Sequence, residues 1–200
     1  MPVLGITGGI GTGKSTFTRQ LNNWLPGKLF DADAIAREVM GEPAVEQEVL
    51  AGIGSALIGS DNGLIDRTRL RDVVFRDSRL RHKLENIVHP LIRLRWVGLA
   101  EEFRQKPEWL LADIPLLFET GEETEFDTIA VVACSLATQR ARIVSQRGLS
   151  AEMADRIIEA QQSLAVKVAR AKHVIWSDSP LARLEEQAQI FAGYLIECYG

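Results

Sequence analysis

The residues with the clearest chemical pattern run from Gly8 to Ser15 and have the spacing G-x-x-x-x-G-K-S. Glycines let the backbone turn tightly enough for successive N–H groups to converge on phosphate oxygens, and a helix after the loop would point its positive end at the same phosphates. Lys14 can then supply a cation for the β- and γ-phosphates, and Ser15 a hydroxyl for Mg²⁺. The pattern therefore predicts a P-loop that binds a nucleoside triphosphate. The predicted nucleotide contacts are Gly9, Ile10, Gly11, Thr12, Gly13, Lys14, Ser15 and Thr16. The loop is expected to be exposed, so that loss of the Lys14 charge would affect chemistry far more than folding.

Two carboxylates, Asp31 and Asp33, follow the second apolar run of the chain. A carboxylate at a strand end can take the proton of a substrate hydroxyl or orient that hydroxyl for attack on a phosphoryl group. Asp33 can equally serve as the N-cap of the next helix, and the residues alone leave both interpretations open. Arg37 lies one helical turn further, on the same face, where it could hold an anionic substrate or pair with Asp33.

Asp113 ends an apolar run, which is the pattern of an aspartate in the coordination shell of a nucleotide-bound Mg²⁺. The pattern is weak, because any buried strand that ends in Asp matches it, and Asp113 could instead cap a turn. Arg140, Arg142 and Arg147 lie in a charged helical segment. A lid arginine that closes over the nucleotide would stabilise charge on the transferred phosphoryl group, whereas the alternative is a solvated helix face.

The elements that must position these residues alternate between strands and helices. Pro90 suits the first turn of a helix that reaches about Arg104, and Asp66 and Ser78 are expected N-caps. The alternation predicts an α/β fold of three layers, with a parallel sheet between helices. Predicted strands are 3–7, 28–31, 109–113, 128–133 and 173–176, and predicted helical segments are 14–24, 33–40, most of 44–106, 137–170 with a break near 148–150, and 180–198.

The same pattern predicts one domain with two insertions. The core comprises about 1–43, 107–139 and 171–200. One helical insertion covers about 44–106, and a second covers about 140–170. Insertions of this kind are expected over the strand ends, where ligands bind in α/β proteins.

Composition excludes several classes of function. The chain has 200 residues, with 23 basic and 27 acidic side chains and a net charge of −4. A mildly acidic protein is a poor candidate for general binding to nucleic acid or anionic membranes. The two cysteines have no CxxC spacing, and no signal peptide or membrane span is evident. We therefore expect a soluble, cytoplasmic monomer that acts on small molecules.

Beyond the P-loop, the sequence resembles the dephospho-CoA kinase family from residue 3 to about 175. The opening at 5–16 shares the family's Thr-Gly-Gly-Ile-Gly lead, and Asp-Ala-Asp-Ala-Ile-Ala-Arg at 31–37 is the most discriminating segment. His-Pro-Leu-Ile at 89–92 and Ile-Pro-Leu-Leu-Phe-Glu at 114–119 look like two further motifs of the family. Arg142, Arg147 and Gln161 fall where its lid pattern has Arg, Arg and Gln.

The resemblance implies a reaction and a set of roles, with the insertion at about 44–106 binding the acceptor and the one at about 140–170 forming a lid over the nucleotide core. ATP would phosphorylate the ribose 3'-hydroxyl of dephospho-CoA, giving CoA and ADP as the last step of CoA biosynthesis. Asp33 would be the base, Lys14 and Arg147 would stabilise the phosphoryl group, and Arg142 would contact the nucleotide. Ser15 and Asp113 would bind Mg²⁺. The implied acceptor contacts are Thr7, Asp31, Asp33, Arg37, His89, Pro115 and Leu116.

One segment departs from the family, since Lys172 replaces an aspartate, and Ser177 and Asp178 replace an asparagine pair near the ATP base. Nucleotide preference is therefore less well defined than phosphoryl transfer. Other interpretations are a different small-molecule kinase, a nucleotide switch or a binding module with a degenerate P-loop. The 31–37 segment argues against the first, the lack of an Asn-Lys-x-Asp motif against the second, and intact Lys14 and Ser15 against the third.

Overall fold

A computed structural model describes residues 2–25, 27–54 and 65–199 of the chain. By packing, the chain groups into two compact units, Met1–Asp31 together with Leu99–Gly200, and Ala32–Gly98. These limits differ from those of the predicted core and insertion, and residues 55–64 of that insertion lie outside the described residues. The functional division into core, acceptor-binding insertion and lid stays a prediction.

The first unit contains five strands: β1 Val3–Gly8, β2 Gly27–Asp31, β3 Trp109–Asp113, β4 Thr128–Ala133 and β5 His173–Trp176. They form a parallel sheet in the order β2-β3-β1-β4-β5. All five predicted strands are confirmed, and three of them agree in both bounds, because each is an apolar run that ends in polar or turn-forming residues. In the β1–β3 register Ile6 pairs with Asp113, so the P-loop and Asp113 leave the sheet at the same edge.

Both faces of β1 are covered. Leu4 and Ile6 pack in one buried cluster with residues of the helices α1 (Lys14–Trp24) and α9 (Leu181–Tyr199). Gly5 points to the opposite face, where a Cβ atom would lie 2.8 Å from the Leu117 side chain. The predicted α/β fold with a parallel sheet is confirmed.

Three more helices follow β4 in this unit: α6 Leu136–Arg147, α7 Ala151–Glu159 and α8 Leu164–Arg170. The predicted break at 148–150 is confirmed, since Gly148 ends α6 at φ 63° and the Ser150 hydroxyl accepts the Met153 N–H at 3.2 Å. A second break, before α8, was not expected. There the Ser163 hydroxyl accepts the Val166 N–H at 3.4 Å.

The second unit is helical, and its core contains Val39, Val45, Val49, Leu70 and Val88. Its helices are α2 Ala32–Val39, α3 Pro43–Ile53, α4 Arg67–Arg76 and most of α5 Ser78–Arg104. No helix among the described residues is both long and apolar enough to cross a membrane.

Three local predictions in the second unit are corrected and one is confirmed. Asp66 caps α4 as expected, accepting the Thr68 N–H at 2.9 Å. Ser78 is the first residue of α5 rather than its cap, and the Asp77 carboxylate before it accepts the Arg79 N–H at 2.9 Å.

Pro90 lies inside α5 instead of starting a helix. Val88 is buried in the core of the unit, and Leu91 and Ile92 pack against the same core. Burial on both sides of the proline offsets its cost of about 3 kcal/mol in a helix interior. One helix therefore continues through the residue that was expected to begin it.

The third correction concerns Asp33. Helix α2 begins at Ala32, so Asp33 lies in its first turn and Asp31 holds the position directly before the helix. Asp33 is therefore not the N-cap, and the capping interpretation of its carboxylate is wrong.

Candidate nucleotide-binding site

The turn between β1 and α1 depends on two glycines with positive φ. Gly11 has φ 74° and Gly13, the residue before α1, has φ 83°. Side chains with a Cβ atom are strained in this region, so the sequence pattern is a requirement of the backbone. The turn brings the first residues of α1 to the edge of the sheet, where the N–H groups of a first helical turn have no intrahelical acceptor.

Lys14, Ser15 and Asp113 meet at this helix start. The Lys14 ammonium forms an ion pair with Asp113 Oδ1, and the Ser15 hydroxyl donates to Asp113 Oδ2 at 3.0 Å. Lys14 is 8% exposed and Asp113 3% exposed. The three predicted phosphate and metal residues are therefore brought together, but the expectation of an exposed loop is wrong at Lys14, because its side chain is buried against β3.

The oxygen atoms of Ser15 and Asp113 fit a magnesium ion. Ligand oxygens of octahedral Mg²⁺ lie about 2.0–2.1 Å from the metal, so neighbouring ligands are about 2.9 Å apart. The hydrogen bond between the Ser15 hydroxyl and Asp113 Oδ2 holds these two oxygen atoms 3.0 Å apart, which is compatible with that spacing. No group of three or more His, Cys, Asp or Glu side chains in the described parts of the chain could hold a metal ion. A metal ion at Ser15 and Asp113 would therefore take its remaining ligands from phosphate and water.

The backbone of Ile10 is held from both sides by glutamine side chains. Its carbonyl oxygen accepts Gln139 Nε2 at 2.7 Å, and its N–H donates to Gln161 Oε1 at 2.9 Å. The N–H of Ile10 thus points at a glutamine. Thr12 tightens the same turn, since its buried hydroxyl donates to the Gly9 carbonyl at 2.8 Å.

Arg142 supports the loop from α6. Its Nη1 donates to the Ser177 hydroxyl at 3.0 Å and to the Gly11 carbonyl at 3.4 Å, and its Nη2 donates to the Ser177 carbonyl. Ser177 is 1% exposed and donates in turn to the Thr12 carbonyl. The guanidinium group is therefore directed at loop and turn carbonyls.

Asp178 joins the turn after β4 to the turn after β5. Its carboxylate accepts the Ser135 N–H at 3.0 Å and the Ser135 hydroxyl at 3.0 Å. Hydrogen bonds from Thr138 and Ser135 hold the pKa of Asp178 below its ordinary value, because they stabilise the charged form. Ser177 and Asp178 are two of the residues that depart from the family pattern. Both side chains form hydrogen bonds within the protein.

Lys167 is fully buried beneath the loop, at 0% exposure. Its ammonium forms an ion pair with Glu119 Oε1 at 2.9 Å and donates to the carbonyls of Pro115 at 2.9 Å and Gly8 at 3.4 Å. The Pro115 carbonyl also accepts the Thr7 hydroxyl at 3.1 Å. Thr7 and Pro115, both predicted as acceptor contacts, are thus joined in one network. Leu116 follows directly and is half-buried, with its carbonyl accepting the Thr120 N–H at 2.9 Å.

The lid arginines differ from one another. Arg147 is exposed in the last turn of α6, and its side chain makes no hydrogen bond or ion pair within the described ranges. Arg140 forms an ion pair with Asp155 at 2.8 Å, which ties α6 to α7 and fits the interpretation of a solvated helix face.

The remaining predicted residues lie in the second unit. Asp33 and Arg37 are exposed on α2, and no ion pair joins them in the described chain. The Arg37 carbonyl accepts Arg67 Nη2 at 3.1 Å. His89 is half-buried in α5, and this burial lowers its pKa, while the Glu85 carboxylate acts in the opposite direction. The imidazole is therefore neutral near pH 7.

Sequence reasoning missed Gln139 and Lys167. Lys167 had a usable signal, because it is the one charged residue in the apolar run from 164 to 169. A lone lysine in such a run must reach a partner or solvent. Gln139 had no signal, since a polar residue in the second turn of a charged helix is typical of a surface position.

Comparison with known proteins identifies the family. A family model described as dephospho-CoA kinase matches residues 2–183. A dephospho-CoA kinase from Hydrogenovibrio crunogenus is 38% identical over 193 residues, which cover 94% of this chain and 95% of that protein.

Two solved structures are also similar. TT1252 from Thermus thermophilus has a TM-score of 0.78 and 31% identity, with 100% of this chain and 98% of that chain covered. Dephospho-CoA kinase from Campylobacter jejuni has a TM-score of 0.69 and 26% identity, with 97% and 96% covered. With a family model matching nearly its whole length and relatives this similar, the chain belongs to the dephospho-CoA kinase family.

Proposed function

We propose that this chain transfers the γ-phosphoryl group of ATP to the ribose 3'-hydroxyl of dephospho-CoA, giving CoA and ADP. The observation that carries the proposal is the buried ion pair of Lys14 and Asp113, joined by the Ser15 hydroxyl, at the end of a P-loop in a chain of this family. Phosphoryl transfer depends mainly on positioning and electrostatic stabilisation, and a prearranged cation, hydroxyl and carboxylate supply both.

On the nucleotide side, the phosphates bind to the ammonium of Lys14 and to backbone N–H groups of Gly9–Thr16 other than that of Ile10, which donates to Gln161. Lys14 exchanges Asp113 for phosphate oxygens, which leaves that carboxylate and the Ser15 hydroxyl to bind Mg²⁺. A Mg²⁺ ion held by Ser15 and Asp113 would supply positive charge against the negative charge that develops on the phosphates. Arg142 holds the loop and contributes positive charge beside it, and Arg147, which is exposed at a helix end, stabilises the transferred group.

On the acceptor side, Asp33 accepts the proton of the 3'-hydroxyl group. At the same time the 3'-oxygen forms a bond to the γ-phosphorus, and the bond between the γ-phosphorus and the β-phosphate oxygen breaks. An exposed carboxylate without a capping role is suited to this task. The other acceptor contacts stay as predicted from the family motifs: Thr7, Asp31, Arg37, His89, Pro115 and Leu116.

A coupled assay of ADP release tests the proposal with dephospho-CoA, adenosine, AMP and shikimate as acceptors at equal concentration. ADP release that requires dephospho-CoA, with CoA as the second product, is the expected result. A higher rate with one of the other acceptors would reassign the chain to another small-molecule kinase. Release of ADP from none of them would contradict the proposed reaction.

We also propose that discrimination between nucleotide bases is relaxed. The Ser177 hydroxyl is engaged with Thr12 and Arg142, and the Asp178 carboxylate with Ser135, so neither side chain is directed at a base. ATP and GTP are then expected to serve as donors with kcat/KM values within about tenfold, or 1.4 kcal/mol. A preference for ATP of several orders of magnitude would show that backbone groups suffice for base recognition.

The proposed function is that of a monomer in the cytoplasm. The proposed substrates, ATP and dephospho-CoA, are small molecules. Light scattering at micromolar concentration measures the molar mass, which is 22.2 kDa for a monomer. A value near twice this mass would show a dimer and contradict the proposed monomer.

A further inference from the structure

Lys167 is the largest polar side chain at 0% exposure in the described residues, and none of the roles proposed above uses it. Removing an ammonium group from water costs several kcal/mol unless hydrogen bonds and an opposite charge offset that cost. All three N–H donors of the group are matched by three oxygens, those of Gly8, Pro115 and Glu119. The positions of these three partners therefore show which segments of the chain Lys167 connects.

Two of the partners are backbone carbonyls on either side of the candidate site. Gly8 is the last residue of β1, immediately before the P-loop turn. Pro115 comes two residues after Asp113, the partner of both Lys14 and Ser15. One ammonium group thus links the segment that enters the phosphate-binding loop with the segment that leaves the metal-binding carboxylate.

Neighbouring contacts strengthen the link. Gln161, in the turn before α8, accepts the Ile10 N–H at 2.9 Å, and the Gln162 N–H donates to Glu119 Oε1 at 2.9 Å. The short segment from 161 to 167 therefore makes two contacts with the P-loop and three with the loop after β3. A shift in this segment would move both loops.

We propose that Lys167 is a positioning residue for phosphoryl transfer, which fixes the distance between the P-loop and the loop carrying Asp113 through its bonds to the Gly8 and Pro115 carbonyls. The inference rests on the proposed kinase reaction. A change far from the reacting atoms can lower a rate by about 10²-fold if it misplaces the reacting groups by about 1 Å. The effect should fall on kcat, because the groups that contact ATP are unchanged.

Glu119 provides a matched control. Glu119→Gln breaks the same ion pair but leaves both carbonyl bonds of Lys167 in place, whereas Lys167→Met removes all three interactions. Lys167→Met is expected to lower kcat about 10²-fold, with smaller changes in KM for ATP and the acceptor. Glu119→Gln should keep kcat within about fivefold, the scale of a partly exposed ion pair. Thermal melting then measures how much stability each variant loses.

Equal loss of kcat in the two variants would overturn the proposal, because the ion pair and not the carbonyl bonds would then matter. Wild-type kcat per folded molecule in Lys167→Met would overturn it too, since a purely stabilising role predicts that result. If Lys167→Met does not fold, Lys167→Gln, which can still donate to one carbonyl, should lose kcat to a smaller extent, and wild-type kcat in that variant would count against the proposal.

Amide hydrogen exchange separates this inference from the proposed reaction. Lys167→Met should speed exchange in residues 8–13 and 114–119 relative to Glu119→Gln, whatever acceptor the enzyme uses. If the wild-type chain releases no ADP with any acceptor, the proposed reaction fails, and unchanged exchange in these two segments would independently refute the positioning role.

Discussion

The nucleotide side and the acceptor side of the proposed reaction are built in opposite ways. Lys14 and Asp113 are 8% and 3% exposed and are paired with each other. Asp33 and Arg37 are exposed on one face of α2 and are not paired with each other. The first group consists of side chains that the fold holds in place, and the second of side chains whose surroundings are mainly solvent.

This contrast separates chemistry from stability. An exposed carboxylate without a partner contributes little to folding, so a change there reports on the reaction alone. A buried ion pair couples the two, because removal of one partner leaves an uncompensated charge in the interior. The predictions below test that distinction, beginning with the largest expected effect on rate.

Asp33→Asn is expected to lower kcat by about 10²- to 10⁴-fold, the usual range for loss of a general base. The melting temperature should stay near that of the wild type, because Asp33 is exposed and does not cap α2. Steady-state kinetics with dephospho-CoA and a thermal melt measure the two effects. Glu38→Gln, also exposed on α2, is the matched control and should leave both unchanged. If Asp33→Asn retains turnover within a few-fold, the base lies elsewhere, and Asp31 is the first alternative.

Lys14→Ala should lower kcat by about 10²- to 10³-fold, as expected for loss of one preorganised charge at the transferred group. In contrast to Asp33→Asn, it should also destabilise the protein, by about 3–5 kcal/mol, because the buried Asp113 carboxylate loses its cation. Urea denaturation measures the free energy of unfolding.

The double variant Lys14→Ala/Asp113→Asn sharpens this result. It removes the uncompensated charge while keeping an acceptor for the Ser15 hydroxyl, so stability should recover and turnover should not. Unfolding free energies that are equal for wild type and Lys14→Ala would show that the pair contributes nothing to stability, and the contrast between the two sides would fail.

The arginines of α6 should divide in the same manner. Arg147→Ala is expected to lower kcat by about 10- to 100-fold, the equivalent of about 1.5–3 kcal/mol for one hydrogen bond to a charged group, without loss of stability. Arg142→Ala should raise KM for ATP and lower the melting temperature, because it removes the support of Gly11 and Ser177. A change in Arg147→Ala that is confined to KM would make that residue a ground-state contact instead.

The smallest expected effect concerns His89. This residue is half-buried, and its burial lowers its pKa from the ordinary value of 6.5. Such a group contributes stability above pH 6.5, and this contribution is lost as the pH falls through 6.5 toward the lower pKa of the folded state. The free energy of unfolding should therefore fall between pH 7.5 and pH 5, and less steeply in His89→Gln. Urea denaturation at several pH values measures both slopes, and identical slopes would mean that His89 titrates alike in the folded and unfolded chains.

The amino-acid sequence by itself determined the strands, the P-loop and most helix limits. These features are local: an apolar run becomes a buried strand, Gly11 and Gly13 permit a backbone that other residues resist, and Gly148 with Ser150 separates two helices. The family motifs added the reaction and a prediction of which residues contact the acceptor. Each of these features depends on residues that are close together in the sequence, so it can be recognised without knowledge of the tertiary structure.

Only the tertiary structure decided which partners the buried polar groups take. Lys14 meets Asp113 across 99 positions and Lys167 meets Gly8 across 159, and no spacing in the chain encodes such contacts. Pro90 remains inside a helix because flanking residues are buried, although its own preference is to begin one. In each case a free-energy cost outweighs the local preference: an unpaired polar group in the interior, or apolar side chains left exposed. That cost arises only when distant segments pack together.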